Sequence, residues 1–351
     1  MEKEKFHIRL QQTIGLLFGL WLMVGCGSGQ DSRPNIKNIK VSPIVFRFDR
    51  DMAKLDTAKI ELGLMSLKKK YPEFLDFYLD NLMGFGIRED YADTSAGIRL
   101  GLRPFLAHPD IRALFDTVDK HFPNVDAPTS SLIEGFKYVK YYFPHFKVPT
   151  IVYFISGLNQ WSAITLDSSL VGVGLDMYLG SQYPFYKAVQ IPQYVIRKCS
   201  PEYISTNVFQ AIFRDWYPVE MEDKNLLQLM LQRGKEQWFL AHILPNTPDS
   251  IRLGFTAAQL SWCEKNEALI YNFFIAQNLL YETSPNKVYR FVFDGPSTTG
   301  MPAESPGNIG TWLGYRILQA YAEMHPKADF QQILSLPDAQ KILQDSKYKP
   351  H

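Results

Sequence analysis

Cysteine is scarce in this chain: Cys26, Cys199 and Cys263 are the only three in 351 residues. A disulfide-framed scaffold is thereby excluded, and Cys199 and Cys263 are expected as separately buried thiols, with a bridge between them in an oxidising envelope as the alternative. Histidine is nearly as thin. His7, His108, His121, His145, His242, His325 and His351 are the full set, and none stands four residues from another, so no helical zinc pair exists. An excess of charge of either sign is also missing, with 37 Lys and Arg against 36 Asp and Glu. No bulk field draws the chain to nucleic acid, and none is expected as a partner. There is no complete catalytic motif and no internal repeat; neither cofactor nor metal is expected. Finally, no apolar run is long enough to span a bilayer. The run from Ile14 to Gly25 rises roughly 18 Å as a helix, against a hydrocarbon core of ~30 Å.

What is present is core-forming material, 46% hydrophobic and 14% aromatic residues, far from the disordered class. The short run Ile14–Gly25, preceded by Lys3, Lys5 and Arg9, has the pattern of a signal peptide over residues 1–25. It ends in Leu22-Met23-Val24-Gly25-Cys26, similar to a bacterial lipobox, in which a small residue precedes a Cys that takes diacylglycerol on its sulfur. Cys26 is therefore the expected lipid-attachment site. Acyl chains such as palmitate, each buried CH₂ contributing about 0.8 kcal/mol, would hold the chain on a membrane. Residues 26–40 are small and polar and read as a flexible tether. Residues 41–351 are expected to form a single globular domain.

The pattern in that domain is α+β, mostly helical with a small antiparallel sheet. Val45, Phe46 and Phe48 suit an opening strand closed by Asp49 and Asp51. A helix should start near Asp56 as N-cap and end on Lys68-Lys69-Lys70, where basic charge complements the dipole. Another follows Pro72 and stops at Gly84 and Gly86, and two more are expected through Ile111–Val118 and Leu132–Tyr142, with Pro123 and Pro128 as interruptions. Residues 149–156, 161–166 and 170–175 are strand-like, the last two joined by the turn-forming Asp167-Ser168-Ser169, and predict an antiparallel meander. Helices return from Pro201. The clearest spans Thr256–Tyr281, opened by the capping-box pair Thr256 and Gln259. A mobile stretch over 284–310 precedes helices near Trp312–Met324 and Pro337–Leu343.

Several phrases in order carry a family resemblance. They are Phe46-Arg47-Phe48-Asp49, Tyr71-Pro72-Glu73-Phe74, Gly174-Leu175-Asp176-Met177-Tyr178-Leu179-Gly180, Trp262-Cys263-Glu264-Lys265-Asn266-Glu267, the Glu304-to-Gly314 segment and Ser346-Lys347-Tyr348-Lys349-Pro350. Together with the lipobox they make the chain similar to the GldB gliding motility lipoproteins of Bacteroidota. The resemblance implies a cell-envelope lipoprotein associated with gliding machinery and with the secretion apparatus that serves it. The chain also distantly resembles predicted zinc-dependent proteases, which implies a zincin-like core. In those proteins H-E-x-x-H places two His on one helix face to hold zinc and a Glu to activate its water. The corresponding segment here, Pro201–Trp216, has no His, so the zinc motif is lacking.

Three carboxylates remain as candidates for a cleft: Asp176 after the third strand, Glu267 on the long helix, and Glu304 in the Pro- and Gly-rich segment. Each also has a plain structural role open to it, as strand-end cap or solvated helix acid. His145 reads as a packed loop residue. The aromatic stretch 136–143 reads as core, with Lys137 and Lys140 snorkelling outward. The leading expectation is a non-catalytic component of the gliding or associated secretion machinery, held to a membrane by lipid, facing the periplasm and binding envelope proteins. A peptide- or glycan-binding lipoprotein and a divergent hydrolase are the alternatives.

Overall fold

A computed structural model describes residues 33–350. The signal peptide and Cys26 lie outside the described residues, as does the first part of the tether, residues 26–32. From Asn38 onward the chain forms one unit.

Its sheet has four strands in the order β1-β2-β4-β3: β1 (Val45–Arg47), β2 (Thr150–Phe154), β3 (Ala163–Leu166) and β4 (Leu170–Gly174). The expected antiparallel sheet is corrected here, because the sheet is mixed. Only the β3–β4 hairpin is antiparallel, turning through Asp167 and Ser168 at φ 46° and 53°. In contrast, β2 runs parallel to both β1 and β4. The cause is connectivity: about a hundred residues of helix separate β1 from β2, ample for the crossover that parallel strands need. The loop after β2 then carries the chain past the β4 position, so that β3 forms the edge and β4 folds back between. β4, and β2 after Thr150, are buried and read as continuous apolar runs for the same reason.

The longer helices are α1 (Ile60–Lys70), α2 (Pro109–His121), α3 (Asp126–Tyr142), α4 (Ile204–Trp216), α5 (Leu226–Ile243), α6 (Ala257–Lys265), α7 (Glu267–Ala276), α8 (Ile309–Met324) and α9 (Ala339–Ser346). Asp56 caps a turn, accepting from Ala58 N–H at 2.9 Å, and α1 begins only at Ile60. Pro128 sits in the first turn of α3, where its missing N–H has no helical partner to lose. An aromatic cluster under the sheet joins the first half: Phe48 meets Tyr78 at 4.8 Å and Phe74 at 5.0 Å in edge contacts.

The long helix expected over Thr256–Tyr281 is two helices. The capping box at Thr256 and Gln259 is present, but α6 ends at Asn266, whose side-chain amide donates to the Trp262 carbonyl at 2.8 Å. Asn competes for backbone partners in this way and interrupts a helix. The stretch expected to be mobile, 284–310, has defined turns pinned by two buried side chains. Thr298 donates through Oγ1 to the Pro306 carbonyl, and its N–H reaches Ser305 Oγ at 3.2 Å. Cys199 and Cys263 are buried and unpaired.

Candidate functional site

α4 lies across β3 and β4, and two faces of its sequence explain why. Val208, Phe209, Ile212 and Phe213 are buried, while Tyr203, Thr206, Asn207, Gln210 and Arg214 recur at helical spacing on another face and line a cleft. The opposite wall is the middle of α5, where Arg233, Glu236 and Gln237 interrupt an apolar helix. The short helix Asp249–Leu253, the segment at Phe293-Asp294 and the start of α8 complete it, enclosing about 310 Å³.

Charge dominates this cleft. Lys198, Arg214, Arg233 and Arg252 line it against only Glu236 and Asp294. Glu236 is buried and accepts two N–H groups from Arg214, at 2.8 and 3.0 Å, and one from Arg233 at 3.1 Å. Lys198 pairs with Asp294, and Arg252 with Asp249 on the rim. Against the penalty of burial, Glu236 holds the Arg214 guanidinium above its ordinary pKa. For Arg233 burial wins, and with Arg214 nearby it sits below its ordinary value. Cys199 also lines the cleft, but burial pushes its thiol up to about 11. On the wall, Thr206 Oγ1 and Arg252 Nε are buried without a hydrogen-bond partner among the described residues. Both carboxylates are engaged by cations, the thiol stays neutral and no His lines the cleft, so its groups are suited to holding an anion rather than to moving a proton.

The three carboxylates singled out by sequence do not meet. Asp176 is fully buried and accepts from Ser156 N–H and Oγ at 3.0 Å and from Leu158 N–H at 2.7 Å. It thereby clamps the bend after β2, where Gly157 and Leu158 take positive φ. Burial lifts its pKa, opposed by those same donors. Glu267, 3% exposed, accepts from Arg316 Nε at 3.0 Å and from the Tyr348 hydroxyl at 2.6 Å, tying the C-terminal tail to α7 and α8. It lines a separate hollow with Glu264 and Arg316. Glu304 is exposed on its loop and is not among the residues lining the cleft. Among the described residues, no three His, Cys, Asp or Glu side chains group as a metal site would need. Of the residues that form the cleft, Arg233 and Glu236 were legible only as an oddity, a polar stretch from Gln232 to Gln237 in the middle of a mostly apolar helix, and Arg214 on α4 carried no such signal.

An α+β domain with a cation-rich cleft on the helix that covers its sheet is the class these features define. Over residues 29–350 the chain matches the family of the gliding motility protein GldB, and it belongs to that family. That family is designated a lipoprotein family, which implies a membrane-anchored envelope protein involved in gliding motility. Among the described residues no helix is long and apolar enough to cross a membrane. No curated protein and no solved structure matches the chain, so the likeness to zinc-dependent proteases and a zincin-like core finds no support in these comparisons.

Proposed function

We propose that the protein is a non-catalytic binding component of the gliding machinery and its associated secretion apparatus, anchored through lipid on Cys26 and facing the periplasm. The observation that carries this reading is the state of the cleft carboxylates. Glu236 is shared by two guanidiniums and Asp294 is paired with Lys198, so neither is placed to act as a general base. Family membership supports the setting, and the lipobox supports the anchor.

Complementation of a deletion strain tests it. Wild type and Glu304→Gln are expected to restore spreading, Cys26→Ala is expected not to, and pull-down of the lipidated protein from detergent-solubilised envelopes is expected to recover motility or secretion components. A measured hydrolysis that Glu304→Gln abolishes in a stably folded protein would return that carboxylate to a catalytic role. Full spreading with Cys26→Ala would remove the anchor from the mechanism.

A further inference from the structure

The cleft between α4 and α5 has a cation to spare. Lys198 and Asp294 pair one to one, as do Arg252 and Asp249, but Arg214 and Arg233 share the single carboxylate of Glu236. Arg214 takes the better part of it, with two N–H groups against one from Arg233. Arg233 is the more enclosed of the two, its side chain 19% exposed against 55%. A cation removed from water without its own counterion is costly, and an anion entering beside it recovers that cost. One surplus cation calls for a monoanion; a dianion would face Glu236 and Asp294 with too little positive charge to balance it.

The surroundings narrow the ligand further. Phe293 is 41% exposed, lines the cleft, and lies with its ring centre 5.3 Å from the Arg233 guanidinium carbon. An apolar ring beside an anion-seeking fork suits a carboxylate attached to a side chain or backbone better than a bare inorganic ion. Gln210 and Gln237 line the walls with groups that both donate and accept, as peptide units require, and Thr206 Oγ1 and Arg252 Nε are buried there unpartnered. The volume of about 310 Å³ is at the small end of ligand pockets, enough for the end or bend of a chain.

We infer that this cleft seats the carboxylate of an extended peptide segment from an envelope partner, with Arg233 gripping the carboxylate and Phe293 packing against the neighbouring residue. The inference rests on the reading of the cleft as a binding site and adds the chemistry it recognises.

The test uses the full mature lipoprotein in detergent and titrates it with N-acetylated tripeptides of three kinds: free C-terminal acids, the same sequences as amides, and amides with a central Asp. Inorganic phosphate is the fourth ligand. At least one carboxylate-bearing series is expected to bind tenfold or more tighter than the neutral amides. Preference for the acids assigns the site to a chain end, and equal binding of the Asp peptides assigns it to a side chain; both support the inference. Arg233→Gln is expected to weaken that binding by about tenfold, the loss of a charge-assisted contact, with Arg233→Lys falling between. Phe293→Ala, a change at a ring 41% exposed, should reduce affinity several-fold and serves if Arg233→Gln unfolds. Neutral amides binding as tightly as acids, binding of phosphate alone, or no peptide binding would overturn it. If carboxylate selectivity fails while motility components are still captured, only this inference falls; if selectivity holds and capture fails, only the functional reading does.

Discussion

Asp176 shows how one buried carboxylate can hold a backbone bend. The chain leaves β2 through Gly157 and Leu158, both at positive φ, where the N–H groups of Ser156 and Leu158 have left the ladder and need acceptors. Asp176, immediately after β4, supplies both. Replacing it with Asn turns one acceptor into a donor facing those N–H groups. With about 1–3 kcal/mol for each buried polar group left unpaired, Asp176→Asn is expected to lose roughly 2–4 kcal/mol in urea unfolding. A loss under 1 kcal/mol would show that the bend does not depend on the carboxylate. Its strand-end role was readable from sequence, but the strand it serves was not, because β2 and β4 become neighbours only through a crossover.

At the scale of elements, the most intimate contact is between α5 and α8, which cross where Gly234 meets Gly314. A Cβ on Gly314 would overlap the Met230 carbonyl, and one on Gly234 would press on the backbone at Gly314. Neither glycine is at positive φ, so close approach rather than turn geometry accounts for them. Gly314→Ala should therefore destabilise by overpacking, about 1–3 kcal/mol, despite alanine's better helix propensity. Thermal melting checks this, and a rise in melting temperature would mean that the two helices can part without cost. Local signals served well here: the capping box at Thr256 and Gln259 was visible in four residues, and so was the hairpin turn at Asp167 and Ser168. α5 itself escaped individual notice, although Asn225 and Gln228 form a second capping box at its start. Its polar centre blurred the apolar pattern, and that centre is the wall of the cleft.

For the whole molecule, one buried lysine gives stability a dependence on pH. Lys235 lies on α5, 8% exposed, and donates to the Leu336 carbonyl in the segment before α9. Burial lowers its pKa from 10.5 to about 8. Between those values the unfolded chain keeps the proton that the folded chain has released. Stability contributed by this group therefore rises with pH from about 8 to about 10.5. Compared with Lys235→Met at each pH, wild type should gain on the order of 2 kcal/mol across that interval. A stability difference independent of pH would show that the amine stays charged in the fold.

Sequence alone determined what depends on neighbours along the chain. That includes the amphipathic helices, the caps, the hairpin turn, the scarcity of cysteine and histidine, and the run of phrases that placed the chain in its family. Tertiary structure decided what depends on residues far apart. The parallel pairing of β1 with β2 joins strands about a hundred residues apart, and Glu267 finds its partners at Arg316 and Tyr348. Glu236 likewise receives Arg214 from another helix. Hydrogen-bond partners and counterions are chosen by distance in space, whereas composition and periodicity report only distance along the chain. For that reason two of the carboxylates that stood out by sequence, Asp176 and Glu267, are clamps, the third, Glu304, is exposed on its loop, and the cleft is built from arginines that did not stand out.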